Sequence, residues 1–325
     1  MCVVLAVIPS GGRALRGEVD VAADVFDQRH LIALYQRGLI NELPIELGPM
    51  PVFDLGPSVD EDLKRWNIVD PSTNELTEPA QEYFAGLVGY EWAVWGIVLL
   101  YNQRTEIVSD LPDEFLQYGV QYALRDVPRV SFLIGYREGT FTTATLAAGQ
   151  LALATDRARS NTDEHRNEAV GQIIMAILDP QKQWKPYPME RISIPATAAD
   201  ALKRDRTDDT EDVLETTRDG LRDAGMARST VRGLAELLAQ DNVAVSQITI
   251  SRRAPQGKQT VYHNAMGVMF FVGEPGGVVV SYPSRGLDGR QWINYEPATP
   301  AAMTEAVAAL RRGLSRANPE DITLR

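Results

Sequence analysis

The sequence contains a single cysteine, Cys2, and this scarcity excludes several kinds of architecture. One thiol cannot form an intramolecular disulfide, and it cannot supply the cysteine ligands of a structural zinc site. The lack of a disulfide framework is typical of proteins that fold in a reducing compartment. A chain of 325 residues can bury a large apolar core, so it needs no covalent support of this kind.

Positive charge and long apolar runs are also scarce. The formal net charge is −12, and Arg252-Arg253 and Arg311-Arg312 are isolated basic pairs. Because such acidity opposes the phosphate backbone and anionic lipids, we expect no nucleic-acid binding. No apolar run approaches the roughly 20 residues of a membrane span, so we expect no membrane insertion. Residues 1–9 are apolar without a basic start, which favours an edge strand or frayed extension over a cleaved signal and predicts a cytoplasmic protein.

Catalytic and cofactor motifs are missing as well. The sequence has no glycine-rich phosphate loop, no GxSxG and no HExxH, so we expect no catalytic residues, no cofactor and no metal site. Of the three histidines, His30 is expected to be exposed or half-buried, His165 to lie in a solvated first helical turn and His263 to take part in cross-strand packing. The acidic run over residues 205–215 lacks the glycine and spacing of a calcium loop and is interpreted as a solvated helix face or a flexible link that enters a helix.

Hydrophobic periodicity predicts two successive sets of helices, strands and a closing helix. In residues 19–180 the predicted helices cover 19–38, 58–66, a segment from 77, and 163–178, and the predicted strands cover 92–101, 115–124, 129–136 and 140–146. In residues 195–316 a charged helical stretch through Gly220 and a helix capped by Ser229 precede strands over 243–252, 260–272, 277–282 and 291–295. Thr299, followed by proline, is the predicted cap of the last helix.

This order of elements predicts an α+β fold. Strands joined by short turns pair antiparallel, and helices grouped before and after them argue against a doubly wound sheet. We predict that residues 19–180 and 195–316 are the halves of a structural pseudo-repeat within one domain, preceded by an extension over residues 1–18.

The polar connector over residues 102–114 is hard to explain as simple linkage, because long loops without structure tend to be functional or disordered. It follows an aromatic strand on which alternation places Trp92 and Trp95 on opposite faces. If helices cover only one side of the sheet, aromatic residues on the other side form a binding surface. The connector mixes acidic with apolar side chains: Glu106, Asp110, Asp113 and Glu114 with Ile107, Val108 and Leu111.

The segment from Val245 to Leu314 resembles the EspG family, the chaperones associated with type VII (ESX) secretion in mycobacteria and related actinobacteria. The resemblance is carried by Gly277-Val278-Val279-Val280 before Pro283, by Asp288-Gly289 leading into Trp292-Ile293, and by Pro297-Ala298-Thr299 before a helix of Ala, Val and Leu. The short helix at Ser229–Leu234 upstream is also similar. Residues before this segment match the family mainly in element order.

The resemblance implies a central antiparallel β-sheet flanked by two helical bundles in a quasi-twofold arrangement. It also implies a cytosolic, ATP-independent chaperone that holds a PE–PPE heterodimer by the apolar tip of the PPE helical bundle. In the family, the loop after the first long strand, one sheet face and the C-terminal bundle contact cargo. Carried over by position, the predicted partner-binding residues are Tyr101, Glu106, Ile107, Val108, Asp110, Leu111, Asp113, Phe115, Leu214, Leu221 and Met226.

The sequence leaves two questions open. The apolar loop residues form a binding patch with an acidic rim, or they fold back onto the sheet. Two further functions compete with the chaperone: an enzyme of unrecognised type with a pocket between sheet and helices, and a structural oligomerisation module whose exposed sheet face pairs in a homo-oligomer.

Overall fold

The computed structural model describes residues 26–48, 55–56, 58–101, 105–106, 125–201, 210–223, 225–240, 242–253 and 259–317. Its α-helices are α1 (Gln28–Gln36), α2 (Val59–Arg65), α3 (Glu78–Val88), α4 (Asp163–Leu178), α5 (Ala196–Ala201), α6 (Thr210–Asp223), α7 (Arg228–Leu238) and α8 (Pro300–Arg316), with a short 3₁₀ helix at Ile45–Leu47. Its strands are β1 (Trp92–Leu100), β2 (Thr105–Glu106), β3 (Arg125–Asp126), β4 (Arg129–Arg137), β5 (Thr140–Ala147), β6 (Gln150–Arg157), β7 (Ile192–Pro195), β8 (Asn242–Arg253), β9 (Gln259–Val261), β10 (Met266–Phe271), β11 (Gly277–Arg285) and β12 (Gln291–Pro297). None of the helices in these ranges combines the length and apolar character of a membrane span.

One antiparallel sheet contains most of these strands, in the order β6-β5-β4-β1-β8-β10-β11-β12-β7, with β9 beside β8. The central pair is β1 and β8, where Trp92 lies opposite Arg252 and Leu100 opposite Ala244. A meander extends outward on each side of this pair, and each meander is followed along the chain by a long helix, α4 or α8. The α+β class is therefore confirmed, and the pseudo-repeat is visible in the strand order. The domain bounds stay a prediction.

Helices cover both faces of this sheet. On one face, α4 and α8 pack together over a core that draws on both halves, including Phe132, Ile174, Ile248 and Met303. The other face carries two separate cores. Helices α1 to α3 cover the first half through Leu34, Phe84 and Leu133, and α6 and α7 cover the second half through Leu221, Leu234 and Val279. The expectation of two helical bundles on a central sheet is thus confirmed.

The start of α1 differs from the prediction. The spacing of apolar residues predicts a helix from residue 19, but Asp27 is extended (φ −129°, ψ 178°) and is the N-cap of a helix that begins at Gln28. The Asp27 side chain accepts a hydrogen bond from Arg29 N at 2.8 Å, and Asp27 N donates to His30 Nδ1 at 3.1 Å. The Asp27 side chain also accepts from the backbone N–H of His30, and this bond together with the bond to His30 Nδ1 forms a capping box. The His30 ring also packs against Phe26 and Trp66, and it is only 1% exposed, contrary to the prediction of a surface or half-buried histidine.

Four strands have no counterpart in the sequence prediction: the two-residue strands β2 and β3, and the longer β6 and β7. β6 follows β5 after a turn at Ala148 and Gly149, whose φ values of 49° and 80° are those of a tight hairpin turn. β7 is only four residues long and ends in Pro195, so its pattern is too short to recognise. In addition, Ala227 rather than Ser229 is the N-cap of α7. The predicted strand over 115–124 lies outside the described residues.

Arg311 joins α8 to the start of α4 and yields a test of the helix pair. Its guanidinium donates to Asn167 Oδ1 and Asp163 Oδ1, both at 2.9 Å, and lies 4.8 Å from the Trp92 ring centroid. We expect Arg311→Met to lower the free energy of unfolding by about 2 kcal/mol, because it removes charge-assisted hydrogen bonds and a cation–π contact. Urea unfolding measures this difference.

The matched control is Arg312→Met. Arg312 pairs with Glu305 at the surface, and exposed pairs contribute about 0–1 kcal/mol. The hydrogen bond and charge of Arg311 hold the pKa of Asp163 below its ordinary value. The stabilisation that the Arg311–Asp163 pair contributes is therefore fully present above the pKa of a free aspartate, about 3.9. It is lost as the pH falls through the lower pKa of Asp163 in the folded protein. Equal losses in the two variants at pH 7 would contradict this account.

Candidate partner-binding surface

The central strand pair carries a half-exposed strip on the face that holds the two separate cores. Opposite residues of an antiparallel pair point to the same side, and here Trp95 faces Thr249, Ile97 faces Gln247 and Leu99 faces Val245. Gln247 is exposed and the other five are half-buried, whereas Val94, Val98, Ile248 and Ile250 on the opposite face are buried. We call the six residues from Trp95, Ile97 and Leu99 of β1 and Val245, Gln247 and Thr249 of β8 the central strip.

The central strip lies between the two bundles. Trp95 packs against the core under α1 to α3, and Met269, which is opposite Val245 on β10, packs against the core under α6 and α7. Ser131, with a small side chain, and Gly267, with none, flank the middle of the strip. The strip is therefore a shallow, largely apolar floor with helical walls on both sides.

A buried polar network fixes one end of this floor. Trp95 Nε1 donates to Ser251 Oγ at 3.2 Å, and Ser251 Oγ lies 3.1 Å from the Tyr90 hydroxyl. That hydroxyl also donates to the Glu46 carboxylate, which accepts a second bond, 2.7 Å long, from Gln259 Nε2. Burial, and then the Glu46 charge, raise the pKa of Tyr90 well above its ordinary value, so its proton stays in the network.

The network joins both halves of the sheet. The Arg253 guanidinium lies 4.6 Å from the Tyr90 ring centroid and 3.6 Å from Glu46 Oε1, and it also pairs with Glu42. Ser251 and Arg253 belong to β8, whereas Glu46 belongs to the 3₁₀ helix of the first half. Because these groups are bonded to one another, the floor around Trp95 is held in a fixed geometry before any partner arrives.

At its other end the central strip reaches the long connector singled out in the sequence. Leu99 lies opposite Arg129, which is exposed, and half-buried Tyr101 follows β1 directly. Glu106 belongs to β2, whose short ladder with β3 pairs it with Arg125. The other predicted loop residues lie outside the described ranges: Ile107, Val108, Asp110, Leu111, Asp113 and Phe115. The sheet part of the predicted surface is described, and the apolar part of the loop stays a prediction.

The predicted residues of α6 and the turn after it lie mostly against the second bundle's core. Leu221 is fully buried, Met226 packs beside it, and Leu214 is half-buried. At the outer side of α6 and α7, a cavity of about 430 Å³ is lined by Arg218, Arg222, Arg228 and Arg232 around Val231. Two of these arginines pair with carboxylates of the same helices, Arg222 with Asp219 and Arg232 with Glu236. Because Leu221 is buried, a partner that approaches the outer side of this bundle contacts the arginines of the cavity and not Leu221.

The groups weighed for catalysis are dispersed. His165 is exposed at the start of α4 and lies 2.6 Å from Thr162 Oγ1, and His263 is exposed after β9. His30 is enclosed by the α1 cap, with Asp62 at 3.5 Å from its Nε2. Among the residues with described positions, no three His, Cys, Asp or Glu side chains are grouped as a metal site would require.

Sequence reasoning missed the central strip because its residues are separated by about 150 positions. The one available signal is the alternation in β1, which separates Trp92 from Trp95 but does not tell which face a helix covers. The condition that helices cover only one side of the sheet is not met, since bundles cover both ends of the second face and only its centre is half-exposed.

Comparisons with known proteins agree with this architecture. The EspG family model matches residues 121–309, which is more than half of the chain. EspG5 of Mycobacterium tuberculosis, a type VII secretion system chaperone solved in complex with a PE25–PPE41 dimer, superimposes with a TM-score of 0.63 at 14% sequence identity. That match covers 90% of this chain and 97% of EspG5. At this identity the likeness shows a common fold. No curated protein matches the sequence.

Proposed function

This chain belongs to the EspG family, and we propose from that premise that it is a type VII secretion chaperone that binds a PE–PPE pair through the central strip. The strip is the observation that carries the proposal, because it is a preorganised apolar floor at the centre of the sheet. The structural likeness to EspG5, which was solved with a PE25–PPE41 dimer, supports this choice of partner.

The dimensions of the central strip suit the end of a helical bundle. From Trp95 to Leu99 a strand rises about 13 Å, and a second strand lies about 4.8 Å to its side. An α-helix with its side chains is about 10 Å across. The length of the strip therefore matches the width of one helix end, and we place the apolar tip of that helix against Ile97, Leu99 and Val245.

Polar groups at the margin of the strip suit the same partner. The end of a helix presents unpaired backbone N–H or C=O groups, which lose water when the tip is covered. Gln247 can donate and accept hydrogen bonds, and Arg129 beside Leu99 can bind carbonyl groups at a negative helix end. An apolar centre with a polar rim is the usual anatomy of such an interface.

We also propose that the loop residues Ile107, Val108, Leu111 and Phe115 contribute an apolar patch to partner binding, with Glu106, Asp110 and Asp113 as its rim. It places the chaperone in the cytoplasm, where cargo waits for export, and it assigns the chain no catalytic step. The dispersed histidines, and a Tyr90 hydroxyl already bonded to the Glu46 carboxylate and close to Ser251 Oγ, support a binding role over the enzyme alternative.

Co-expression with PE–PPE pairs tests the function directly. We expect a stable complex with one copy of each of the three chains, observed by size-exclusion chromatography with light scattering. The apolar cargo tip should self-associate in the absence of this chain and stay dispersed in its presence. A chain that forms only homo-oligomers and ignores every PE–PPE pair would favour the oligomerisation module instead.

A further inference from the structure

Three groups of the buried polar network lie out of reach of a partner: Ser251, Tyr90 and Glu46. Ser251 and Tyr90 are fully buried, and the side chain of Glu46 is only 1% exposed. Trp95 differs from them, because it is half-buried and belongs to the central strip. Any effect of the three buried groups on a partner at the strip therefore passes through the indole of Trp95.

Donor and acceptor chemistry fixes the direction of the hydrogen bonds between these groups. An indole N–H can only donate, so Trp95 Nε1 donates to Ser251 Oγ, 3.2 Å away. A carboxylate can only accept, so Glu46 takes the single proton of the Tyr90 hydroxyl. The Ser251 hydroxyl then donates to the Tyr90 oxygen, 3.1 Å away, because that oxygen has no second proton to offer.

The hydrogen bonds thus run in one direction, from Trp95 through Ser251 and Tyr90 to Glu46, and we call these four residues the relay. Gln259 completes it, since its Nε2 donates to the Tyr90 oxygen at 2.9 Å and to Glu46 Oε1 at 2.7 Å. Each hydroxyl of the relay both accepts and donates, so neither can rotate without the loss of a bond. The relay therefore has one arrangement of protons.

The final acceptor of the relay is held from both halves of the sheet. Glu46 lies in the 3₁₀ helix beside Leu47, which is fully buried in the core under α1 to α3. Arg253 of β8 supplies the opposite charge, with its Nη2 at 3.6 Å from Glu46 Oε1. Because Glu46 is fixed in this way, the hydroxyl groups that point to it are fixed as well.

The other end of the relay is set by the register of the central strand pair. Ala93 lies opposite Ser251 and Trp95 lies opposite Thr249, so Trp95 and Ser251 are diagonal neighbours on one face. Because the relay uses the only donor of Trp95, its indole offers a partner an apolar ring surface and no free N–H. Large aromatic side chains of this kind contribute much of the binding energy in protein interfaces.

We propose that Trp95 is an anchor residue for an apolar side chain of the cargo, and that Ser251, Tyr90 and Glu46 are positioning residues that act through it. This inference rests on the proposed function, because it assigns the Trp95 end of the central strip to the same partner. An indole that is already fixed loses little rotamer freedom on binding, whereas an indole released from Ser251 loses more. Removal of the Ser251 hydroxyl therefore weakens binding, although Ser251 does not contact the cargo.

A double-mutant cycle tests this mechanism with a PE–PPE pair that forms a complex with the parent chain. We expect Ser251→Ala to weaken binding by about 5- to 10-fold, the effect of one lost hydrogen bond. We expect Trp95→Phe to weaken it by roughly 10-fold. In the Trp95→Phe background, Ser251→Ala should have no further effect, because phenylalanine has no N–H to donate. Titration calorimetry measures the four affinities.

Ser246→Ala is the matched control. Ser246 is also a fully buried serine of β8, but it lies on the opposite face, where its hydroxyl donates to Ile97 O at 3.1 Å. The substitution removes an equivalent hydrogen bond without a contact to Trp95, so the affinity should stay within about twofold of the parent value. Tyr90→Phe, which interrupts the relay and leaves Ser251 in place, is a second variant with the same expected coupling to Trp95.

Hydrogen exchange of the free chain gives a readout that needs no cargo. The NMR signal of the Trp95 indole N–H is identified by its loss in Trp95→Phe. This N–H should exchange at least about 5-fold faster in Ser251→Ala than in the parent chain or in Ser246→Ala. Exchange at the parent rate in Ser251→Ala would show that Ser251 does not hold the indole, and it would overturn the proposal.

The binding data can overturn the proposal in two further ways. One is an equal loss of affinity from Ser251→Ala in both backgrounds, and the other is an unchanged affinity in Ser251→Ala or in Trp95→Phe. If a charge at Ile97 still weakens binding in that case, the central strip remains the cargo site and only the relay is excluded. If Trp95→Phe and Ile97→Asp both bind as the parent does, the site itself is wrong.

Discussion

Ile97→Asp is expected to weaken cargo binding by roughly 30- to 100-fold while leaving the fold intact. Ile97 is the middle apolar residue of the central strip on β1 and is half-buried opposite the exposed Gln247. In the free chaperone, water still reaches the new carboxylate, so the free energy of unfolding changes little. In the complex the partner removes that water, and a central interface change of this kind costs about 2–3 kcal/mol. Titration calorimetry with a purified PE–PPE pair measures the loss.

Leu287→Asp is the matched control for that variant. Leu287 is a fully exposed leucine in the turn between β11 and β12, so the same charge is introduced away from the central strip. It should bind cargo with unchanged affinity. If Ile97→Asp and Leu287→Asp bind equally well, the central strip is not the cargo site. If Ile97→Asp melts far below the parent chain, Ile97 belongs to the core instead.

Gly86→Ala is expected to destabilise the chain by about 3 kcal/mol, although it adds a better helix former. Gly86 lies inside α3, and a Cβ built there stands 2.7 Å from the Cβ of Thr142 on β5, which is 1% exposed. The close approach of helix and sheet leaves no room for a methyl group, and overpacking a closed core costs about 1–3 kcal/mol or more. Thermal and urea unfolding measure the change.

Gly233→Ala is the control, because Gly233 also lies inside a helix, α7. There the added Cβ meets only the end of a flexible side chain, Ile192 Cδ1, at 3.3 Å. We expect stabilisation of about 0.5–1 kcal/mol from the gain in helix propensity. A double-mutant cycle of Gly86→Ala with Thr142→Gly should recover part of the loss. Stabilisation by Gly86→Ala would show that α3 does not approach β5 as closely as described.

The substitutions at Gly86 and Gly233 distinguish the effect of helix propensity from the effect of tertiary packing. Intrinsic propensity gives both substitutions the same favourable sign, because it depends on the backbone of the helix alone. At Gly86 the expected change in stability is a loss instead, because Thr142 on β5 occupies the space that the new methyl group needs. In the same way, the apolar spacing of Val21 and Val25 predicts a helix over 19–38, but the chain is extended at Asp27 and bonded to β6.

The sequence by itself determined several secondary-structure elements and the family of the protein. The alternating aromatic run of β1, the 3.6-residue spacing in α4 and the Thr299-Pro300 start of α8 specify those elements, since their side chains and caps act within a few residues. The acidic net charge argued against nucleic-acid binding, and the single cysteine excluded an intramolecular disulfide and a cysteine zinc site. The motifs after Val245 indicated the family.

Only the tertiary structure decided where these elements meet. The β1–β8 pairing brings Ile97 and Val245 together, and two bundles then leave this centre of the sheet half-exposed while covering both ends. The buried Glu46, Tyr90 and Ser251 come together in the same way. Such contacts join residues far apart in the chain, and their strength depends on exclusion of water by the folded whole, which no local pattern of residues records.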